Sequence, residues 1–113
     1  MYKSVLVEMR NRVRLGKVTI PLHAREEMYN DDLLKSYIVF GILHCEIIER
    51  QWDNDWHEWK YVIEGEVVDR RAIEIVAKLG RNDDTLVITV YKLRSNHAEH
   101  HQCVKADFAE WVT

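Results

Sequence analysis

The chain has 113 residues, of which 47% are hydrophobic and 31% charged, the balance of one globular domain rather than a disordered or fibrous chain. Its formal charge of −3 argues against a dedicated nucleic-acid binder, a class that usually carries a basic surplus. No apolar run approaches the roughly 20 residues of a membrane span and no signal-peptide pattern opens the sequence, so a cytoplasmic protein without membrane contact is the expectation. Cys45 and Cys103 are too few and too far apart in sequence to read as a disulfide framework, and reduced thiols are expected.

Tyr2, Val5, Leu6, Met9 and Val13 recur at three- and four-residue steps, which predicts an amphipathic helix over 2–15 with Gly16 as its stop. This opening is locally basic. Lys3, Arg10, Arg12, Arg14 and Lys17 face the single acid Glu8, a local charge of +4 on an acidic chain. Such a face can meet phosphate, or it can simply be solvated. Pro21 then separates this segment from a short helix over 22–29 anchored by Met28. Asn30, Asp31 and Asp32 are N-cap candidates for a third helix that runs to Phe40 and stops at Gly41, with Leu33, Leu34, Tyr37, Ile38 and Phe40 as its buried stripe.

From residue 44 the period changes. Strands are predicted at 46–50, 61–68, 71–79 and 85–93, with a tryptophan-rich turn after the first and the turn cluster Gly80–Asp84 before the last. Along the last strand, alternation sets Leu86, Ile88 and Val90 on one face and Val87, Thr89 and Tyr91 on the other. The expected fold is therefore α+β: N-terminal helices packed on one face of an antiparallel four-stranded meander sheet, closed by a short C-terminal helix. A single domain spans 1–113, with a core over about 2–93, a polar histidine-rich tail over 94–103 and a docking helix over 104–112 that carries Phe108 and Trp111.

Two clusters stand apart. His97, His100, His101 and Cys103 place four metal-ligand types within seven residues, but the paired spacings of a structural zinc site are missing, and a solvated tail is favoured over a metal site. Trp52, Trp56 and Trp59 crowd one hairpin. Asp53, Asp55 and Glu58 beside them repel phosphate, so Trp52 and Trp56 read as partner-binding residues rather than an RNA platform, with core packing of one or two of the indoles as the plainer alternative.

Arg12–Gly16 and the stretch Ile20-Pro21-Leu22-His23-Ala24-Arg25-Glu26-Glu27-Met28, followed in order by Cys45–Glu49, Lys60–Gly65 and Asp84–Tyr91, resemble a bacterial family, the domain of unknown function numbered 4258. The pieces together, over roughly 8–92, are fairly specific. The resemblance implies a small fold like that of RelE-like and BrnT-like toxins, and with it an endoribonuclease held inactive by a cognate antitoxin, acting on RNA without a cofactor. The family often carries an arginine where this chain has Glu27, so positive charge near His23 is expected from Arg25 or from the first helix.

Metal-free RNA cleavage needs a base for the 2′-hydroxyl, an acid for the leaving 5′ oxygen, and cations for the crowded phosphate. Imidazole suits either proton role, which makes His23 the leading catalytic candidate. Arg25 is placed beside it as a bidentate phosphate clamp, and Tyr91 as a proton donor or stacking ring. Arg10, Arg14, Lys60, Thr89 and Lys92 are candidates for RNA or phosphate binding. Each has a structural alternative: a cap or carbonyl partner for His23, and cross-strand packing for Thr89 and Tyr91. The competing function is a non-catalytic protein–protein interaction module on the same scaffold.

Overall fold

The computed structural model describes residues 2–66 and 71–93. The elements, in chain order, are α1 (Lys3–Arg14), β1 (Val18–Thr19), α2 (Leu22–Asn30), α3 (Lys35–His44), β2 (Glu46–Asp53), β3 (Glu58–Glu66), β4 (Ala72–Leu79) and β5 (Thr85–Lys92). They form a five-stranded mixed sheet in the order β1-β5-β4-β3-β2.

This corrects the expected all-antiparallel four-stranded meander. The meander is present over β2 to β5, but β1 adds a fifth strand, parallel to β5, through Val18↔Thr85 and Thr19↔Leu86. It also lies between the first two helices, so the helices are not one uninterrupted N-terminal block. Two residues are too few to show an alternating pattern, and only tertiary pairing makes them a strand. The expected helix at 104–112, the histidine-rich tail and its metal-ligand types lie outside the described residues.

Helix ends follow local chemistry. α1 closes with Gly16 at φ 78°, Lys17 N–H donating to Arg12 O at 2.8 Å and Gly16 N–H to Val13 O at 2.9 Å, the paired bonds of a Schellman motif. α2 closes the same way, and this overturns the N-cap reading of Asp32. Asp32 takes φ 55°, Leu33 N–H donates to Met28 O at 2.7 Å, and Asp32 N–H to Tyr29 O. Aspartate tolerates the left-handed region better than most residues, so it ends one helix instead of starting the next. Leu34 is the residue before α3 and is exposed rather than part of a buried stripe. Gly41 does not end α3, which runs on to His44 with Gly41 buried in its interior.

The core lies between the helices and one face of the sheet. Met9 and Val13 of α1, Ala24 and Met28 of α2, and Ile38, Phe40 and Ile42 of α3 pack with Ile63, Ile73, Ile75, Ala77, Val87 and Val90. Thr85 is the buried polar residue of this core, and its hydroxyl donates to Met9 O at 3.1 Å. Two β-bulges reset side-chain direction. In β5 the register passes from Val76↔Thr89 to Ala77↔Val87, which leaves Ile88 extra. Consequently Thr85, Val87 and Val90 all face the core, and the uniform alternation expected of this strand breaks at Ile88. In β2, Ile48 is the extra residue.

Cys45 is buried at the join of α3 and β2 and is disulfide-bonded, which corrects the expectation of a reduced thiol; Cys103 lies outside the described residues. No helix among the described residues is long and apolar enough to cross a membrane.

Candidate functional site

A groove of about 480 Å³ opens across one end of the sheet. Leu86 and Ile88 of β5 form part of its lining, with Trp56 of the β2–β3 hairpin, Lys78 of β4 and Arg81 of the β4–β5 turn, and Thr19, Pro21 and His23 from β1 and the start of α2.

Local structure explains each position. Asp53 Oδ1 accepts from the N–H groups of Asp55 at 3.0 Å and Trp56 at 3.2 Å, and His57 takes φ 52°. This side-chain turn projects Trp56 from the hairpin tip. The β3–β4 register, Tyr61↔Ala77, carried outward to that tip, sets Trp56 beside the Gly80–Asp84 turn. The turn itself is pinned from several sides. Gly80 N–H donates to Asp84 O, Arg12 Nη1 donates to Asp84 O at 2.8 Å and Gly80 O at 3.3 Å, and the Thr19 hydroxyl bonds the Asp84 carboxylate. A side chain at position 80 would start 1.9 Å from Asp84 Oδ1, so the Asp84 carboxylate could not keep its place against Thr19. Pro21 precedes α2 in an extended conformation, no side chain caps the helix N-terminus, and His23 stands exposed in its first turn.

The groove mixes charge with an open aromatic ring. Lys78 Nζ lies 5.5 Å and Arg81 Cζ 5.6 Å from the centre of the Trp56 ring, within cation–π range. Lys78 is also paired with Glu58 at 2.9 Å, while Arg81 forms no ion pair among the described residues. Asp53 and Asp84, which also line the groove, are committed to the hairpin turn and to Thr19.

Of the residues singled out by sequence, His23 and Trp56 both line this groove. Arg25 does not join them. Its Nε donates to Ile20 O at 2.7 Å, and it lines a separate hollow with Met28 and Lys35. Tyr91 and Thr89 lie further along β5, paired with Glu74 and Val76, outside the groove. Lys92, opposite Ile73, is on another part of the sheet, and Lys60, opposite Gln51 and next to Lys78 across β3 and β4, is not among the groove's lining residues. Arg14 is exposed on α1, near Asn11. Arg10 reaches inward, its Nε donating to Ile42 O at 2.9 Å and its Nη2 to Cys45 O at 2.7 Å. Those carbonyls belong to the end of α3, where helix acceptors lack partners. Burial lowers the Arg10 pKa, Glu46 opposes that shift, and Arg14 adds to it. Trp52 is on the helix-bearing side, its ring 5.1 Å from Trp59 and 6.4 Å from His57.

Lys78 and Arg81 are the groove residues that sequence reasoning missed. Their signal was the strand register, since a basic residue in the turn after β4 must lie near the tip of the preceding hairpin. Glu27, the departure at the expected arginine, serves the scaffold. Its carboxylate accepts from Val90 N–H at 3.1 Å, and Asp31 accepts from Lys92 N–H at 3.1 Å. Together they cap the edge of β5 beyond β1.

A comparison with curated proteins and another with solved structures each found no match. The family model described as "Domain of unknown function (DUF4258)" matches residues 21–92, from the proline before α2 to the last residue of β5, and so takes in His23, the tryptophan hairpin and Arg81. The chain belongs to this DUF4258 family.

Proposed function

We propose that the chain is a toxin-like endoribonuclease whose active site is the His23 groove. One observation carries the reading: an exposed imidazole, two basic side chains and an open indole line a single groove. Those are the groups that RNA cleavage by acid–base chemistry requires. In this reading the 2′-hydroxyl oxygen attacks the adjacent phosphorus and the bond to the 5′ oxygen breaks, which leaves a cyclic phosphate and a 5′-hydroxyl. His23 serves one of the two proton transfers, and Lys78, oriented by Glu58, is the candidate for the other. Arg81 supplies charge to the phosphate, and Trp56 offers a face on which an unpaired base stacks. The uncapped start of α2 adds backbone N–H groups on the same side as His23. Regulation by a cognate antitoxin and a cytoplasmic setting belong to the same reading and rest on the toxin resemblance.

Expression should arrest growth, and His23→Ala should abolish that arrest while the protein stays folded. Wild-type protein that harms neither cells nor RNA would sink the reading. A non-catalytic interaction module is the second reading, favoured by the exposed indoles of Trp52 and Trp59. It predicts a stable complex that survives His23→Ala and weakens on Trp52→Ala.

A further inference from the structure

The two sides of the sheet are finished differently. On one side β1, Glu27 and Asp31 occupy the outer edge of β5. On the other, β2 is the outermost strand among the described residues, and its residues from Ile48 to Trp52 are exposed. From Glu49 to Asp53 the strand pairs with β3 without a break, so its outer edge is regular over that length. In an antiparallel pair every second residue turns its backbone N–H and C=O outward, and an unprotected row of this kind is a template for another strand.

The side chains along this edge are arranged by face. On the helix-bearing side stand Arg50 and Trp52, opposite Tyr61 and Trp59. Arg50 lies flat on the Trp59 ring at 3.9 Å, and Trp52 and Trp59 are 45% and 37% exposed. Arginine beside open tryptophan is the chemistry of interface hot spots. On the other side stand Glu49, Gln51 and Asp53, which carry two acids and no base. Alternation separates Arg50 and Trp52 from both acids, and the bulge at Ile48 turns Arg50 and Trp52 to the face that Ile47 also uses.

We propose that the outer edge of β2 accepts an extended strand from a partner protein, one that alternates basic side chains with apolar and acidic ones. The basic row meets Glu49 and Asp53, and the apolar and acidic row meets Trp52 and Arg50. Backbone bonds hold the strand, while these two rows select it. The inference goes beyond the ribonuclease reading and stands without it, because its readout is binding rather than cleavage.

The test uses isotope-labelled full-length protein and a synthetic eight-residue peptide that alternates lysine with valine and glutamate. Amide signals of residues 49–52 are expected to shift and their hydrogen exchange to slow. Arg50→Glu should weaken binding about tenfold or more, as should methylation of every second peptide amide, which removes strand pairing and leaves the side chains in place. Trp52→Ala, at an exposed site, should weaken it with the fold unchanged. The proposal is overturned if the peptide causes no shift, if the methylated peptide binds equally well, or if the shifts map to the His23 groove. It is also overturned if the free chain already pairs through β2 as a dimer in sedimentation, since the occupant would then be a second copy.

Discussion

The basic residues of α1 and those around the groove do opposite work. Arg10 and Arg12 belong to the stretch that makes the start of the sequence basic, yet both donate to backbone carbonyls: Arg10 at the end of α3, and Arg12, whose Nε also pairs with Glu8, at the Gly80–Asp84 turn. Lys78 and Arg81, whose charges Asp83 and Asp84 offset in sequence, line the groove. Counting charge along the chain therefore pointed at the wrong arginines. A guanidinium near unpaired carbonyls at the ends of elements is drawn into the scaffold, because it can satisfy two acceptors at once.

That division of labour can be broken residue by residue. Arg10→Met should have the largest effect, a loss of about 2–3 kcal/mol in chemical denaturation, because two partly buried carbonyls lose a charged donor. Arg12→Met should cost about 1–2 kcal/mol, and it should also lower cleavage, because the turn that carries Arg81 loses its anchor. Next comes Glu27→Ala, at about 1 kcal/mol, with faster hydrogen exchange at the Val90 amide. Arg81→Ala should be smallest in stability, within about 0.5 kcal/mol of wild type, and yet it should weaken RNA binding. If Arg81→Ala destabilises as much as Arg10→Met, the distinction between scaffold and groove cations fails.

Much of the architecture was legible in the sequence. Helical spacing located α1 and its Gly16 stop, and turn chemistry located the hairpins that make the meander. What escaped depends on contacts distant in sequence. β1 is two residues long and exists through its pairing with β5. The bulge at Ile48 and that at Ile88 each insert a residue that no alternation rule announces. Asp32 looked like a helix start because aspartate favours caps, and its positive φ made it a helix end. At the site, His23 was visible as an imidazole at a helix start, and Trp56 as an indole in a polar turn. That both line one groove was not visible, because it depends on how the hairpin tip, the β4–β5 turn and the start of α2 converge at one end of the sheet. Proximity in sequence makes Arg25, two residues from His23, its expected partner. In a helix, residues two apart do not share a face, and Arg25 bonds the Ile20 carbonyl instead.

The most direct measurement is cleavage of a labelled single-stranded RNA by purified wild-type protein and by His23→Ala, Arg81→Ala and Arg25→Ala, each verified as folded. The account predicts cleavage by wild type and Arg25→Ala, and its loss in His23→Ala and Arg81→Ala. No cleavage by wild type, or loss in Arg25→Ala with Arg81→Ala unaffected, would contradict it.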